Sequence, residues 1–160
     1  MAQHDVSSAR TQLMDDFNKI AGDIRLHPKF HSKVLNNDRT LVVYVPPGYE
    51  QSGERRFPVL YMQDGQNLFD PSLSYTGIDW GVDEAVTALA ADGATREAIV
   101  VGIWNTPRRF QEYMPRKPVA GGALPSGVPE VPPMPVSAIA SDAYLRFLVG
   151  ELKPAIDRGF

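Results

Sequence analysis

The 160-residue sequence contains no cysteine. That excludes disulfides, thiolate metal sites and a cysteine nucleophile, and it leaves the redox compartment undecided. No apolar run approaches the ~20 residues of a membrane-spanning helix, and the polar start Met-Ala-Gln-His-Asp-Val-Ser-Ser has no signal-type hydrophobic stretch, so a cytoplasmic location without membrane contact is expected. A strong basic balance is missing too. The formal net charge is −3 and the lysines and arginines are scattered, which argues against nucleic acid as a partner. Nowhere does a Gly-x-Ser-x-Gly turn occur to hold a strained nucleophilic serine.

The sequence does contain the strand-to-loop junction Phe57-Pro-Val-Leu-Tyr-Met-Gln-Asp-Gly-Gln-Asn-Leu-Phe-Asp70. An apolar run that breaks into a polar, glycine-containing loop places backbone N–H groups at the carboxyl edge of a sheet, where α/β enzymes bind substrate.

Around this junction the periodicity predicts an order of elements. Leu13, Met14, Phe17, Ile20 and Ala21 recur at helical spacing before Gly22, which gives an amino-terminal helical extension over residues 1–29. Phe30 to Leu35, the turn formers Asn36-Asn37-Asp38 and the alternating Arg39–Val45 predict an antiparallel hairpin. Pro58 to Met62 and Ala98 to Trp104 are continuous apolar runs expected to be buried on both faces as parallel strands. Between them a helix is predicted, capped by Asp79, with Val82, Ala85, Val86 and Leu89 on one face and Gly93 as its stop. The proline-rich stretch Pro107–Val136 is expected to be loop rather than helix or strand. A last helix should start at a capping Ser141, carry an apolar stripe of Tyr144, Leu145, Leu148, Leu152 and Ile156, and kink or open a new turn at Pro154. Residues 30–160 thus form a partial α/β domain: a hairpin, then a parallel βαβ unit with covering helices, ending before the sheet is complete.

The series Val43-Tyr-Val-Pro-Pro-Gly-Tyr49, Pro58 to Asp70, Ile99 to Ile103 with Asn105, Arg109 with Glu112-Tyr113-Met-Pro115, and Phe147-Leu with Glu151-Leu-Lys-Pro154 resembles the esterase family of α/β hydrolases. That family includes the enterochelin esterase-like, feruloyl esterase-like and esterase-D-like enzymes. The resemblance implies an incomplete α/β-hydrolase sheet and a serine hydrolase of carboxylic esters with a Ser-His-Asp/Glu triad. It implies no metal or organic cofactor and a small-molecule ester as substrate. All three triad residues are expected beyond Phe160, because Ser72, Ser74, Ser126, Ser137 and the other serines lack the glycine flanks of a Gly-x-Ser-x-Gly elbow and His4, His27 and His31 precede or begin the first strand. The family's loop after this strand gives one main-chain N–H to the oxyanion, which points to Gly65 or Gln66. Gln63 stands where members commonly have His, a change that bears on loop anchoring more than on a main-chain donor.

Other residues have both a substrate-contact and a structural reading. Asp64 and Asn67 either touch substrate or hold the turn as Asx residues do, with the second favoured. A metal site at Asp64, Asn67 and Asp70 has the wrong spacing for a calcium loop. Arg108, Arg109 and Glu112 follow a strand at its carboxyl end, where charge suits an acidic substrate, but an Arg109–Glu112 pair pinning the loop explains them without a ligand. Trp80 is expected under the loop, and Trp104 with Asn105 in a pocket wall. An alternative to the enzyme reading is a non-catalytic truncated fragment that binds a ligand, or that pairs as a homo-oligomer or with a complementing chain through its unfinished sheet.

Overall fold

In the computed structural model, residues 22–116 and 135–160 are described. They contain four strands, β1 (Asp23–Ser32), β2 (Asn37–Val45), β3 (Val59–Gln63) and β4 (Ile99–Ile103). The helices are α1 (Val82–Ala91), α2 (Arg109–Tyr113), α3 (Ser141–Phe147) and α4 (Lys153–Gly159), the last two joined by a π-helical turn, Leu148–Leu152. The strands form one mixed sheet in the order β1-β2-β4-β3. β4 runs antiparallel to β2, with Val42 opposite Gly102, and parallel to β3, with Met62 opposite Gly102. This mixed sheet is that of the α/β class expected. The chain divides into two compact units, one holding residues 40–104 with the start of β1, the other holding 29–39 with 105–160.

In the first unit Val42, Tyr44, Val100, Leu68 and Phe69 form a buried cluster, with Met62, Val82, Val86 and Trp104 packed against it. Tyr44 and Phe69 stack at 6.2 Å. β4 is buried along its whole length, as a continuous apolar run predicts. β3 is not. Lying last in the sheet order, it leaves Leu60 47% exposed, which corrects the expectation of burial on both faces for this strand. The parallel crossover between the two strands is α1, which ends on Gly93 at φ 70°. Its cap differs from expectation: Gly81, at φ 59°, takes that place, and Asp79 instead accepts the Gly81 N–H at 3.1 Å.

The hairpin is longer than predicted and begins earlier. β1 starts at Asp23, so a helical extension reaching residue 29 is contradicted from residue 23 on, whereas the helix expected over 13–21 lies outside the described residues. The hairpin turn falls at 33–36, with Asn36 at φ 50°.

Within the second unit Glu151 holds that turn. It accepts the Ser32 hydroxyl at 2.6 Å and the Lys33 and Val34 amides at 3.0 and 3.2 Å. Burial pushes its carboxyl up, but these donors outweigh it and leave the group below its ordinary value. The helix α3 starts at Ser141 itself, with Ala140 rather than Ser141 at the cap position, and α2 lies inside the stretch expected to be loop. Tyr144, Phe147, Leu152 and Ile156 are buried, while Leu145 is exposed. Phe147 and Leu152 are five residues apart, and the π-helical turn between them is what keeps both on the core face. Pro154 is therefore absorbed into the opening of α4, where its missing N–H costs little.

Candidate functional site

Asp64 follows β3 in the left-handed region, φ 56° and ψ 42°, a conformation that a short polar side chain tolerates better than most. This reversal starts a single 3-10 turn over Gly65–Asn67. The turn closes when the Asn67 and Leu68 amides donate to the Asp64 and Gly65 carbonyls at 2.9 and 3.4 Å. The N–H groups of Gly65 and Gln66 come before the first closing bond and take no part in it.

Glycine at 65 is a steric requirement. A Cβ there would lie 2.5 Å from the Gly102 carbonyl carbon and 2.6 Å from the Ile103 nitrogen, both backbone atoms of β4. Gly102 meets it from the other side, since a Cβ on Gly102 would fall 3.1 Å from the Gly65 Cα. Two bare α-carbons thus let the turn rest on the strand itself. Gly102 is a site-forming residue absent from the sequence-based candidates, although an isolated glycine inside an apolar strand is a recognised sign of close backbone approach.

The loop that follows is held by its own polar groups. Asn67 Oδ1 accepts the Tyr75 amide at 3.0 Å and its carbonyl accepts the Trp80 amide at 2.8 Å, while Asp70 Oδ1 accepts the Ser72 amide at 2.8 Å. Asn67 is accordingly engaged in the structural role, and Asp64 is buried beneath the turn. Trp80 is 54% exposed, which corrects the expectation that it packs under the loop.

Beside the turn lies a cleft of about 140 Å³. Ile24, Leu26 and Val42 line it from β1 and β2, and Phe69 and Leu73 reach it from the loop. Gly65, Gln66 and Asp70 also line it, as does Trp104 at the end of β4. Gly65, Gln66 and Trp104 are therefore brought together in the first unit.

Asn105, Arg109 and Glu112 belong to the second unit. Glu112 is sealed in its core and bonds Arg39 at 2.8 Å, with both side chains at most 1% exposed. The Arg39 guanidinium also lies over the rings of Phe147 and Tyr144, at 5.0 and 5.5 Å. Glu112 is thus no substrate contact, and its partner is not Arg109, which stacks on Tyr113 at 5.2 Å. Glu112 and Arg39 are 73 positions apart and carry no local signal of their pairing.

Three carboxylates, from Asp79, Asp83 and Glu84, approach within 4.8 Å of one another at the start of α1. Burial, opposed by the helix-start amide, and the neighbouring Asp83 push the Glu84 carboxyl up to about 7. Among the described histidines, His31 pairs with Asp38 at 2.7 Å on the exposed hairpin.

The family model described as Putative esterase matches residues 32–160. Among solved structures, an IroE-like serine hydrolase from Shewanella oneidensis shares 25% identity and a TM-score of 0.62 over 86% of this chain and 39% of its own. The BES protein from Bacillus cereus (19% identity, TM-score 0.56, 89% of this chain and 48% of its own) shares the fold, as does a ferulic acid esterase from Anaeromyces mucronatus (20%, 0.54, 86% and 44%). No curated protein matches by sequence. The chain spans less than half the length of these solved relatives. Its mixed sheet and a match over residues 32–160 agree, and the chain belongs to the Putative esterase family of α/β hydrolases.

Proposed function

We propose that these residues are the amino-terminal part of a serine hydrolase of carboxylic esters, providing the oxyanion-binding turn and one wall of the substrate pocket. The observation that carries the reading is that Gly65 and Gln66, at the head of the turn that follows β3, line an apolar cleft. Main-chain donors fixed at the head of a tight turn cost no reorganisation when negative charge develops on an ester oxygen, and one such donor is worth roughly 10²–10³ in rate. The nucleophilic serine, its histidine base and the orienting acid are supplied by polypeptide outside these 160 residues. The serine attacks the ester carbonyl, the histidine takes its proton, and the tetrahedral oxyanion rests on an amide of the turn until the alcohol leaves.

The polypeptide encoded after Phe160 tests this. An apolar strand followed by a Gly-x-Ser-x-Gly turn, labelled by a fluorophosphonate and turning over 4-nitrophenyl esters, is the expected result. Stoichiometric labelling of the 160-residue chain by itself overturns it.

The open edge of β3, with Leu60 half exposed, favours a second reading, in which the chain acts by strand pairing with a copy of itself or a complementing chain. A coding frame that stops at Phe160, together with a stable oligomer in sedimentation, supports that alternative instead.

A further inference from the structure

We propose that the cleft beside the Gly65–Asn67 turn is a subsite for one uncharged aromatic ring or short alkyl group, and that Asp70 turns anionic groups away from it. The assignment rests on the ester-hydrolase reading only in taking the guest to be part of an ester.

Size sets the first limit. A dry protein cavity of about 150 Å³ lined by aliphatic and aromatic side chains admits benzene, and this cleft measures about 140 Å³. Its walls are apolar, with Leu26 and Leu73 each about half exposed, so the guest enters without displacing the core.

Charge sets the second. Among the described residues no lysine, arginine or histidine lines the cleft, and Asp70 is its one ionisable group. Arg25 lies between Ile24 and Leu26 on β1, so strand alternation turns it to the other face, where it bonds Asp23 and Glu50. A carboxylate guest would lose water, find no counter-charge and meet the Asp70 anion. For a separation of about 6 Å that last effect alone weakens binding roughly 3- to 100-fold, depending on solvent access. Asp70 is thus a specificity-determining residue as well as the acceptor for the Ser72 amide.

Acetophenone and benzoate share a ring and differ in charge, which makes them the probes. Each is titrated into the ¹⁵N-labelled chain while the two tryptophan indole N–H signals are followed. Acetophenone is expected to shift Trp104 saturably and leave Trp80 in place, with benzoate binding at least tenfold more weakly. Asp70→Asn keeps an oxygen for the Ser72 amide, and it should strengthen benzoate at least threefold with acetophenone unchanged. Leu26→Arg, at an exposed position, should strengthen benzoate as well. No shift of Trp104, or equal affinity for the two probes, overturns the subsite. The titration breaks no bond, so its outcome is independent of the hydrolase test. Ester hydrolysis without ring binding sinks the subsite alone, and ring binding without hydrolysis sinks the hydrolase reading alone.

Discussion

The two units solve the same problem, holding a neighbouring segment against a strand, with opposite means. In the first, Gly65 and Gly102 do it by having no side chains, so that backbone rests on backbone. In the second, Arg39 on β2 and Glu112 on α2 do it with two buried charges and the faces of Phe147 and Tyr144. The steric solution stores no electrostatic cost and fails if any atom is added. The ionic one tolerates changes of shape but fails if either charge is left alone, because an unpaired ion in a dry core loses its hydration for nothing.

The most damaging way to break the comparison is Glu112→Ala. It strands the Arg39 guanidinium, with an expected loss of about 3–5 kcal/mol in urea unfolding. Replacing both partners together, Arg39→Met with Glu112→Leu, should recover most of that loss, and a double variant as unstable as the single one contradicts the account. Gly65→Ala comes next, at about 3 kcal/mol, since the backbone it strikes cannot swing aside. Gly102→Ala sharpens the point. Its Cβ meets chiefly the Val42 and Leu68 methyl ends, at 2.7 and 2.8 Å, so about 1–2 kcal/mol is expected, and a larger effect than at Gly65 would reverse the roles given to the two glycines.

A third prediction concerns pH. The Glu84 carboxyl is raised from 4.5 to about 7, so the folded state favours its protonated form. Its contribution is complete below pH 4.5 and is lost as the pH rises through 7. Glu84→Gln should therefore be the more stable protein at pH 8, by roughly 2 kcal/mol once solvent screening of the partly exposed group is allowed for, with the difference gone at about pH 4. Stability curves that stay parallel between those values refute it. The smallest effect is expected at Asn67→Ala, which deprives the Tyr75 amide of its acceptor at a cost of about 1 kcal/mol, measurable as faster hydrogen exchange at Tyr75.

What the sequence makes legible follows from range. β4, α1 and the turn after β3 are written in consecutive residues: an apolar run, a helical period ended by Gly93, a polar break at Asp64. Each is a local pattern with a local cause. Position in the sheet is not local, and so the apolar run Pro58 to Met62 reads as covered on both faces although β3 lies at the end of the strand order. Pairing across 73 residues leaves no mark nearby either, and Glu112 reads as the partner of Arg109 only because Arg109 is close in sequence. A single uniform period drawn through the last helix puts Leu145 inside. The π-helical turn shifts the phase there and buries Phe147. Gly102 differs from these, since a glycine within an apolar strand is itself a local signal of close approach.

The bare contact between the two glycines has one more consequence. Where Gly65 meets Gly102 no side chain lies between turn and strand, so exchanging Leu26, Leu73 or Trp104 remodels the cleft walls without touching that joint. A lineage can retune which guest is accepted while the anchorage of positions 65 and 66 stays where it was, and the two properties are free to drift apart.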